Sequence, residues 1–150
     1  MRVKVFLISA NPERVPNPVF PIGMSYVARA LEPDHRIELW DCIVDGEDGL
    51  EDALRAFEPD LVGISLRNVD TQKPDGHYFL PSYQRVAARV RAATRAPLVL
   101  GGSAFTLFPR EFMDALAADY GIVGEGEHLR LLVDCLAEGR DPDDAAGGHG

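Results

Sequence analysis

The chain has 150 residues, of which 46% are hydrophobic and 26% charged, a composition that fits one soluble domain with a conventional core. Its formal net charge of -9 argues against a nucleic-acid binder, because nonspecific affinity for the phosphate backbone comes from clustered Lys and Arg. The sequence has no apolar run of membrane-spanning length, and Cys42 and Cys135 form no metal-ligand spacing. We therefore expect a cytoplasmic protein with unpaired cysteines, no nucleic-acid partner and no membrane span.

The first half of the chain alternates between strand and helix patterns. The segment VKVFLISA (3–10) is apolar and rich in β-branched residues, which predicts a buried strand. A proline-rich loop leads to apolar residues at helical spacing over 21–31, a predicted helix that Pro33 ends. The next predicted elements are a strand RIELWDC (36–42), a helix from Leu50 to Phe57 and an apolar strand LVGISL (61–66).

The second half repeats this alternation after a long polar loop, RNVDTQKPDGHYFLP. Apolar residues from Val86 to Ala93 indicate a helix of about 12 residues. The elements that follow are a strand APLVLGG (96–102), a helix PREFMDALAA with proline at its first position, a short strand with its exit loop DYGIVGEGE (119–127), and a helix over 127–138. The sequence thus predicts one domain over 1–140, and its glycine-rich, acidic end (141–150) predicts a flexible tail or a linker.

Five strands that alternate with five helices, nearly all of the strands apolar on both faces, predict a parallel sheet covered by helices on both sides. Right-handed crossovers favour an open doubly wound α/β fold, flavodoxin-like or Rossmann-like, with strand order 2-1-3-4-5. Ligands of such sheets bind beyond the carboxyl ends of the strands. The loops after strands one, three, four and five are therefore the candidate site.

These loops lack the motifs of several common ligands of the fold. A response-regulator receiver needs acidic residues after strand one, an Asp after strand three and a Lys after strand five, and the sequence does not supply them. No hydroxyl-rich phosphate loop or GxGxxG follows strand one, and GK[ST] does not occur. The histidines, His35, His77, His128 and His149, are isolated from one another. We predict no catalytic and no metal-ligating residue in the chain.

Small residues instead stand at the ends of three strands. Ser65 ends strand three, Gly101 and Gly102 end strand four, and Gly124 begins the exit from strand five. Because these ends meet at one edge of the sheet, they predict a narrow slot between sheet and helices that admits a flat ring or a long substituent. Turn formation alone would explain the small residues in any one of these loops. It explains less readily why three loops at the same edge of the sheet all contain them.

Four segments in order resemble the N-terminal cobalamin (vitamin B12)-binding domain of cobalamin-dependent radical S-adenosylmethionine enzymes. They are PDLVGISLRNVD (59–70), APLVLGGSAFTLFPREF (96–112), ADYGIVGEGE (118–127) and, more weakly, PIGMSYVARAL (21–31). The resemblance extends to about Arg140. Its specificity lies in the combination of a strand that ends in GIS, a following GG and the GEGE exit.

The resemblance implies that cobalamin extends its nucleotide tail into the slot, with the corrin ring across the strand ends. Physical chemistry agrees, because a serine hydroxyl can hydrogen-bond a buried ring nitrogen and glycine allows an aromatic base to approach the backbone. The implied cofactor contacts are Ser65 at the dimethylbenzimidazole, Gly101, Gly102 and Ser103 around it, Gly124, Glu125 and Gly126 on the far wall, and Leu66, Arg67, Asn68 and Val69 near the lower corrin face.

The chain departs from related families at two points. Cobalamin domains of the methionine-synthase branch carry DxHxxG after strand one, whose His coordinates cobalt, whereas this loop reads SANPERVPNP. We therefore expect base-off cobalamin without a histidine ligand from the first loop. Radical enzymes of this class hold an iron–sulfur cluster by CxxxCxxC, which a chain with 2 cysteines cannot provide.

The cluster and S-adenosylmethionine are accordingly expected in a partner or missing catalytic domain, in cis or in trans. The resemblance implies service to a methyltransferase-like or related radical reaction, and whether the chain is itself an enzyme stays open. The alternative hypothesis is a flavodoxin-like sensor or interaction domain without a ligand.

Overall fold

The computed structural model describes residues 2–10, 28–29, 31–32, 34–42, 45–66, 80–123 and 127–140. Within these ranges, five parallel strands form one sheet in the order β2-β1-β3-β4-β5. The strands are β1 (Lys4–Ser9), β2 (Arg36–Asp41), β3 (Leu61–Ser65), β4 (Leu98–Gly101) and β5 (Tyr120–Gly121). The predicted fold class and strand order are confirmed.

The helices of the described residues also follow the predicted alternation. They are α1 (Leu50–Phe57), α2 (Leu80–Ala93), α3 (Ser103–Leu107), α4 (Pro109–Leu116) and α5 (Glu127–Ala137). Helix α1 has the predicted bounds, whereas the short helix α3 was not predicted. The helix predicted over 21–31 lies mostly outside the described residues, although Ala28, Arg29 and Leu31 are helical.

The alternation of side chains along the strands divides the core into two apolar layers. On one face, the buried side chains of Phe6, Ile64 and Leu100 join a cluster with residues of α1, α2, α3 and α4. On the other face, Leu7 and Val99 join a cluster with residues of α5 and with Ala28 and Leu31. The sheet is therefore covered on both sides, as the parallel architecture requires.

Strand β2 differs from the prediction that nearly all strands are apolar on both faces. It pairs with β1 alone in the sheet order and lies at the edge, where Arg36, Glu38 and Leu39 are exposed. Trp40 is half-buried and stacks on Phe6 with ring centroids 6.3 Å apart. An edge strand of this kind needs charged side chains to remain in solvent, which explains the mixed pattern of RIELWD.

Charged side chains join α2 to its neighbours. Arg85 donates hydrogen bonds of 2.8 and 2.9 Å to the carboxylate of Glu47, and Arg89 donates one of 2.8 Å to Glu51. Farther along α2, Arg91 donates to the carbonyl oxygen of Ala117 at 2.7 Å. These arginines are thus engaged within the fold, although solvent screening weakens ion pairs that are this exposed.

Cys42, a half-buried free cysteine directly after β2, allows a test of this packing. Burial and the nearby carboxylate of Glu47 raise the pKa of its thiol to about 12. Because the thiolate is the nucleophile, we expect native Cys42 to react with iodoacetamide at mildly alkaline pH at least about tenfold more slowly than in the unfolded chain. Mass spectrometry of the Cys42 peptide over time measures both rates, and rapid labelling of the native protein would contradict the packing.

Candidate functional site

The register of the sheet places small residues side by side at its carboxyl edge. Ser9 of β1 pairs with Ser65 of β3, and Ser65 pairs with Gly101 of β4. Paired residues of neighbouring strands lie on the same face, and alternation puts these three on the face of Leu7 and Val99. We call Ser9, Ser65 and Gly101 the small-residue row.

Two residues before this row along the strands, larger apolar side chains of β1 and β4 cover the same face of the sheet. Gly63 lies in register between Leu7 and Val99. A Cβ built on Gly63 would lie 2.8 Å from Cδ2 of Leu7 and 3.4 Å from Cγ1 of Val99. The space over Gly63 is therefore already filled, and Leu7 and Val99 form an apolar floor beneath the small-residue row.

Gly101 faces open space among the described residues. The nearest described atom to a Cβ built there is the carbonyl oxygen of Ile122, at 3.9 Å, which is an ordinary van der Waals distance. The carbonyl oxygen of Gly101 accepts a hydrogen bond of 2.8 Å from the backbone N–H of Leu66, which extends the ladder between β3 and β4. A side chain at position 101 would therefore meet no close described atom and would leave this ladder in place.

Gly102 has different surroundings. Its φ is +102°, and a Cβ there would lie 2.5 Å from the carbonyl oxygen of Leu66 and 3.0 Å from Oγ of Ser65. The space that its missing side chain leaves is thus taken by the end of β3. Gly102 is required for the close approach of two chain segments, and its predicted contact with a cofactor stays a prediction.

Two serine hydroxyls belong to the small-residue row. Ser9 is a buried polar residue with 3% of its surface exposed, and Ser65 is half-buried. In the part of the chain that the structure describes, neither Oγ atom has a hydrogen-bond partner. A buried hydroxyl in this situation is costly unless a further group supplies the partner.

The structure brings together those predicted site residues that it describes. Ser65, Leu66, Gly101 and Gly102 meet at the ends of β3 and β4, and the backbone of Ser103 begins α3. The side chain of Leu66 is fully buried in the layer of α1 and α2, on the opposite face from the small-residue row. The other predicted site residues lie outside the part of the chain that the structure describes, as does the side chain of Ser103: Arg67, Asn68, Val69, Gly124, Glu125 and Gly126.

Ser9 belongs to the small-residue row although the sequence prediction did not single it out. Two signals could have found it: Ser9 and Ser65 both lie near the ends of predicted strands, and the order 2-1-3-4-5 makes those strands neighbours. The sequence does not give the register, however, and only the register shows that the two serines are paired.

Large apolar side chains are exposed around the same edge. Leu107 ends α3, which follows β4, and Phe108 comes directly after it; their exposed fractions are 69% and 44%. Val123, which follows β5, is 45% exposed. We call Leu107, Phe108 and Val123 the exposed apolar rim, since each follows β4 or β5 along the chain.

A model of the B12 binding domain family matches residues 9–133. The chain therefore belongs to the B12-binding domain family, which confirms the predicted family and its cofactor, cobalamin. The chain is 35% identical over 143 residues to tryptophan 2-C-methyltransferase of Streptomyces laurentii, a match that covers 89% of this chain and 23% of that protein.

Solved structures agree with this assignment. The radical S-adenosylmethionine methyltransferase TsrM of Kitasatospora setae, solved with cobalamin and a [4Fe-4S] cluster bound, superposes with a TM-score of 0.81 at 28% identity over 94% of this chain and 26% of that one. The cobalamin-dependent S-adenosylmethionine radical enzyme OxsB, at 18% identity and a TM-score of 0.69 over 95% of this chain and 20% of that one, shares the fold. The chain spans about a quarter of the length of these relatives.

In the described ranges, none of the helices is long and apolar enough to cross a membrane. The His, Cys, Asp and Glu side chains of the same ranges form no group of three or more that could hold a metal ion.

The different surroundings of the two adjacent glycines predict different effects of the same substitution. We expect Gly102→Ala to lower the free energy of unfolding by about 3 kcal/mol, because its φ and the backbone of Leu66 both oppose a side chain. Gly101→Ala meets no close atom and should change it by less than about 0.5 kcal/mol. Urea unfolding measures both values, and equal losses would refute the distinction.

Proposed function

We propose that the chain binds cobalamin base-off, with the nucleotide tail in the slot over the small-residue row and the corrin ring across the carboxyl edge of the sheet. The bound cofactor would serve a radical S-adenosylmethionine methyltransferase or a related reaction. The observation that carries the proposal is the open position at Gly101, next to two serine hydroxyls and above a closed apolar floor.

The described residues fit a flat heteroaromatic group. Leu7 and Val99 offer an apolar surface to a ring, and Gly101 leaves the space of a side chain beside it. The hydroxyl of Ser65 can donate a hydrogen bond to a ring nitrogen, which would otherwise be buried without a partner. The chain's own residues would thus bind and orient the tail, whereas the chemistry of methyl transfer is supplied by the cobalt of the bound corrinoid.

The remaining cofactor contacts are proposed on the resemblance. Ser103 would lie near the tail, and Gly124, Glu125 and Gly126 would line the far wall of the slot. Arg67, Asn68 and Val69 would approach the lower corrin face, and Leu66, whose side chain is buried, would do so only through its backbone.

The first loop contains no histidine, and the two histidines of the described residues lie elsewhere. The Nδ1 atom of His35 accepts a hydrogen bond of 3.1 Å from the backbone N–H of Val3, and its Nε2 lies 3.3 Å from Asp134. His35 is thus engaged at the amino edge of the sheet, away from the small-residue row. His128 is exposed at the start of α5.

We also propose that residues 1–140 form the cobalamin-binding domain and that 141–150 serve as a tail or a linker. The catalytic domain, with the iron–sulfur cluster and S-adenosylmethionine, would be a partner in cis or in trans. The length of the relatives supports this division, since the chain spans about a quarter of them. The exposed apolar rim of Leu107, Phe108 and Val123 is suited to contact with such a domain.

Binding tests the proposal directly. Protein mixed with hydroxocobalamin and desalted should retain corrinoid absorbance, and excess cobalamin should raise its melting temperature. Gly101→Val should weaken cobalamin binding at least about tenfold, because its side chain enters the slot. The same substitution should change the free energy of unfolding far less than it changes the free energy of binding. The matched control is Leu131→Ala, at a position on α5 that is 57% exposed.

Wild-type protein without corrinoid absorbance after desalting would contradict cobalamin binding and favour the ligand-free sensor. Equal cobalamin affinity of the Gly101→Val variant and the wild type would contradict the placement of the nucleotide tail in this slot.

The state of the cobalt is a separate prediction. With a base-off cofactor and no histidine ligand, the electron paramagnetic resonance spectrum of the cob(II)alamin complex should lack hyperfine splitting from an axial nitrogen. His128→Ala should leave that spectrum unchanged, and so should His77→Ala. An axial-nitrogen splitting that disappears in either variant would assign that histidine as the ligand and contradict the prediction.

A further inference from the structure

We propose that Ser9 is a second hydrogen-bonding residue for the nucleotide tail, beside Ser65. This inference rests on the proposed function and deepens it, since it assigns a binding role to a residue outside the resemblance. The tail would meet two neighbouring hydroxyls rather than one.

Burial is the first observation that sets Ser9 apart. Among the described residues, Ser9 and His35 are the buried polar side chains, with 3% and 5% of their surface exposed. His35 has both ring nitrogens engaged, by Val3 and Asp134. The hydroxyl of Ser9 has no such partner in the described ranges, and an unpartnered buried hydroxyl lowers the stability of the folded chain.

The backbone around Ser9 fixes the position of this hydroxyl. The carbonyl oxygen of Ser9 accepts a hydrogen bond of 3.0 Å from the N–H of Cys42, and the next N–H, of Ala10, donates to the carbonyl oxygen of Ser65 at 3.3 Å. Ser9 is therefore held between β2 and β3 by ladder bonds on both sides. These bonds engage its backbone, and its Oγ has no partner within the described ranges.

The position of Ser9 in the small-residue row indicates the chemistry of the group that its hydroxyl would bind. Ser9 and Ser65 are paired in register on one face, so their Cα atoms lie about 5 Å apart, the usual spacing of neighbouring strands. Two donors at this spacing fit a flat group with more than one acceptor atom. A base with its ribose is such a group, because it carries ring nitrogens and ribose oxygens.

The alternative for Ser9 is a purely structural role, and the two roles predict opposite effects of Ser9→Ala on the free protein. If the hydroxyl serves the tail, its removal relieves an unsatisfied group, and the urea midpoint of the apo-protein should stay the same or rise. If the hydroxyl stabilises the fold, the midpoint should fall.

Cobinamide, a corrinoid that lacks the nucleotide tail, separates tail contacts from ring contacts. We expect Ser9→Ala to weaken cobalamin binding about tenfold and to change cobinamide binding by less than about twofold. Titration of the full chain with each corrinoid, followed by absorbance, measures both affinities. Ser82→Ala on α2, a half-buried serine on the opposite face of the sheet, should match the wild type with both ligands.

Each other outcome overturns the inference in a distinguishable way. If Ser9→Ala leaves the cobalamin affinity unchanged, or lowers the affinities for cobalamin and cobinamide equally, Ser9 does not bind the tail. Cobalamin binding by the wild type would be unaffected by that result. A lower urea midpoint together with weaker binding of both corrinoids would make Ser9 structural. Wild-type protein that binds neither corrinoid would overturn the proposed function as well, and wild-type protein that binds both equally would overturn the placement of the tail.

Discussion

The close approach of β4 to the end of β3 depends on the absent side chain of Gly102. A Cβ there would lie 2.5 Å from the carbonyl oxygen of Leu66 and 2.8 Å from its nitrogen. The same contact allows the N–H of Leu66 to donate to the carbonyl oxygen of Gly101 at 2.8 Å. The chain then turns at once into α3, where the N–H of Thr106 donates back to the carbonyl oxygen of Gly102 at 3.0 Å. This turn leaves Gly101 as the last residue of β4 on the slot face.

The adjacent glycines Gly101 and Gly102 therefore have different structural roles, although the sequence does not distinguish them. Gly101 provides space, since a side chain there meets no close described atom, whereas Gly102 provides contact between two backbones and a positive φ. The first leaves open space beside Ser65, with which it pairs, and the second allows the end of β3 to lie against the turn after β4. Two adjacent glycines at a strand end can thus have different structural roles.

The sequence predicts most of the fold because strands and long helices leave strong local patterns. The bounds of α1 and the strand order follow from apolar periodicity and from right-handed crossovers. Helix α3 was not predictable, because SAFTL is too short to show a helical period. The exposure of β2 depends on its position at the edge of the sheet. The position of Ser9 beside Ser65 depends on the register between β1 and β3. Both are relations between distant segments, which no local pattern contains.

The two faces of the sheet end differently at the carboxyl edge, and this difference decides where a ligand can enter. On the face of α1 and α2, large side chains continue to the end of the strands, and Leu66 and Phe105 are almost fully buried there. On the face of α5, the strands end in the small-residue row, and the apolar floor lies only one step beneath it. Among the described residues, this edge therefore presents a closed core on one face and, on the other, the small-residue row above the apolar floor of Leu7 and Val99.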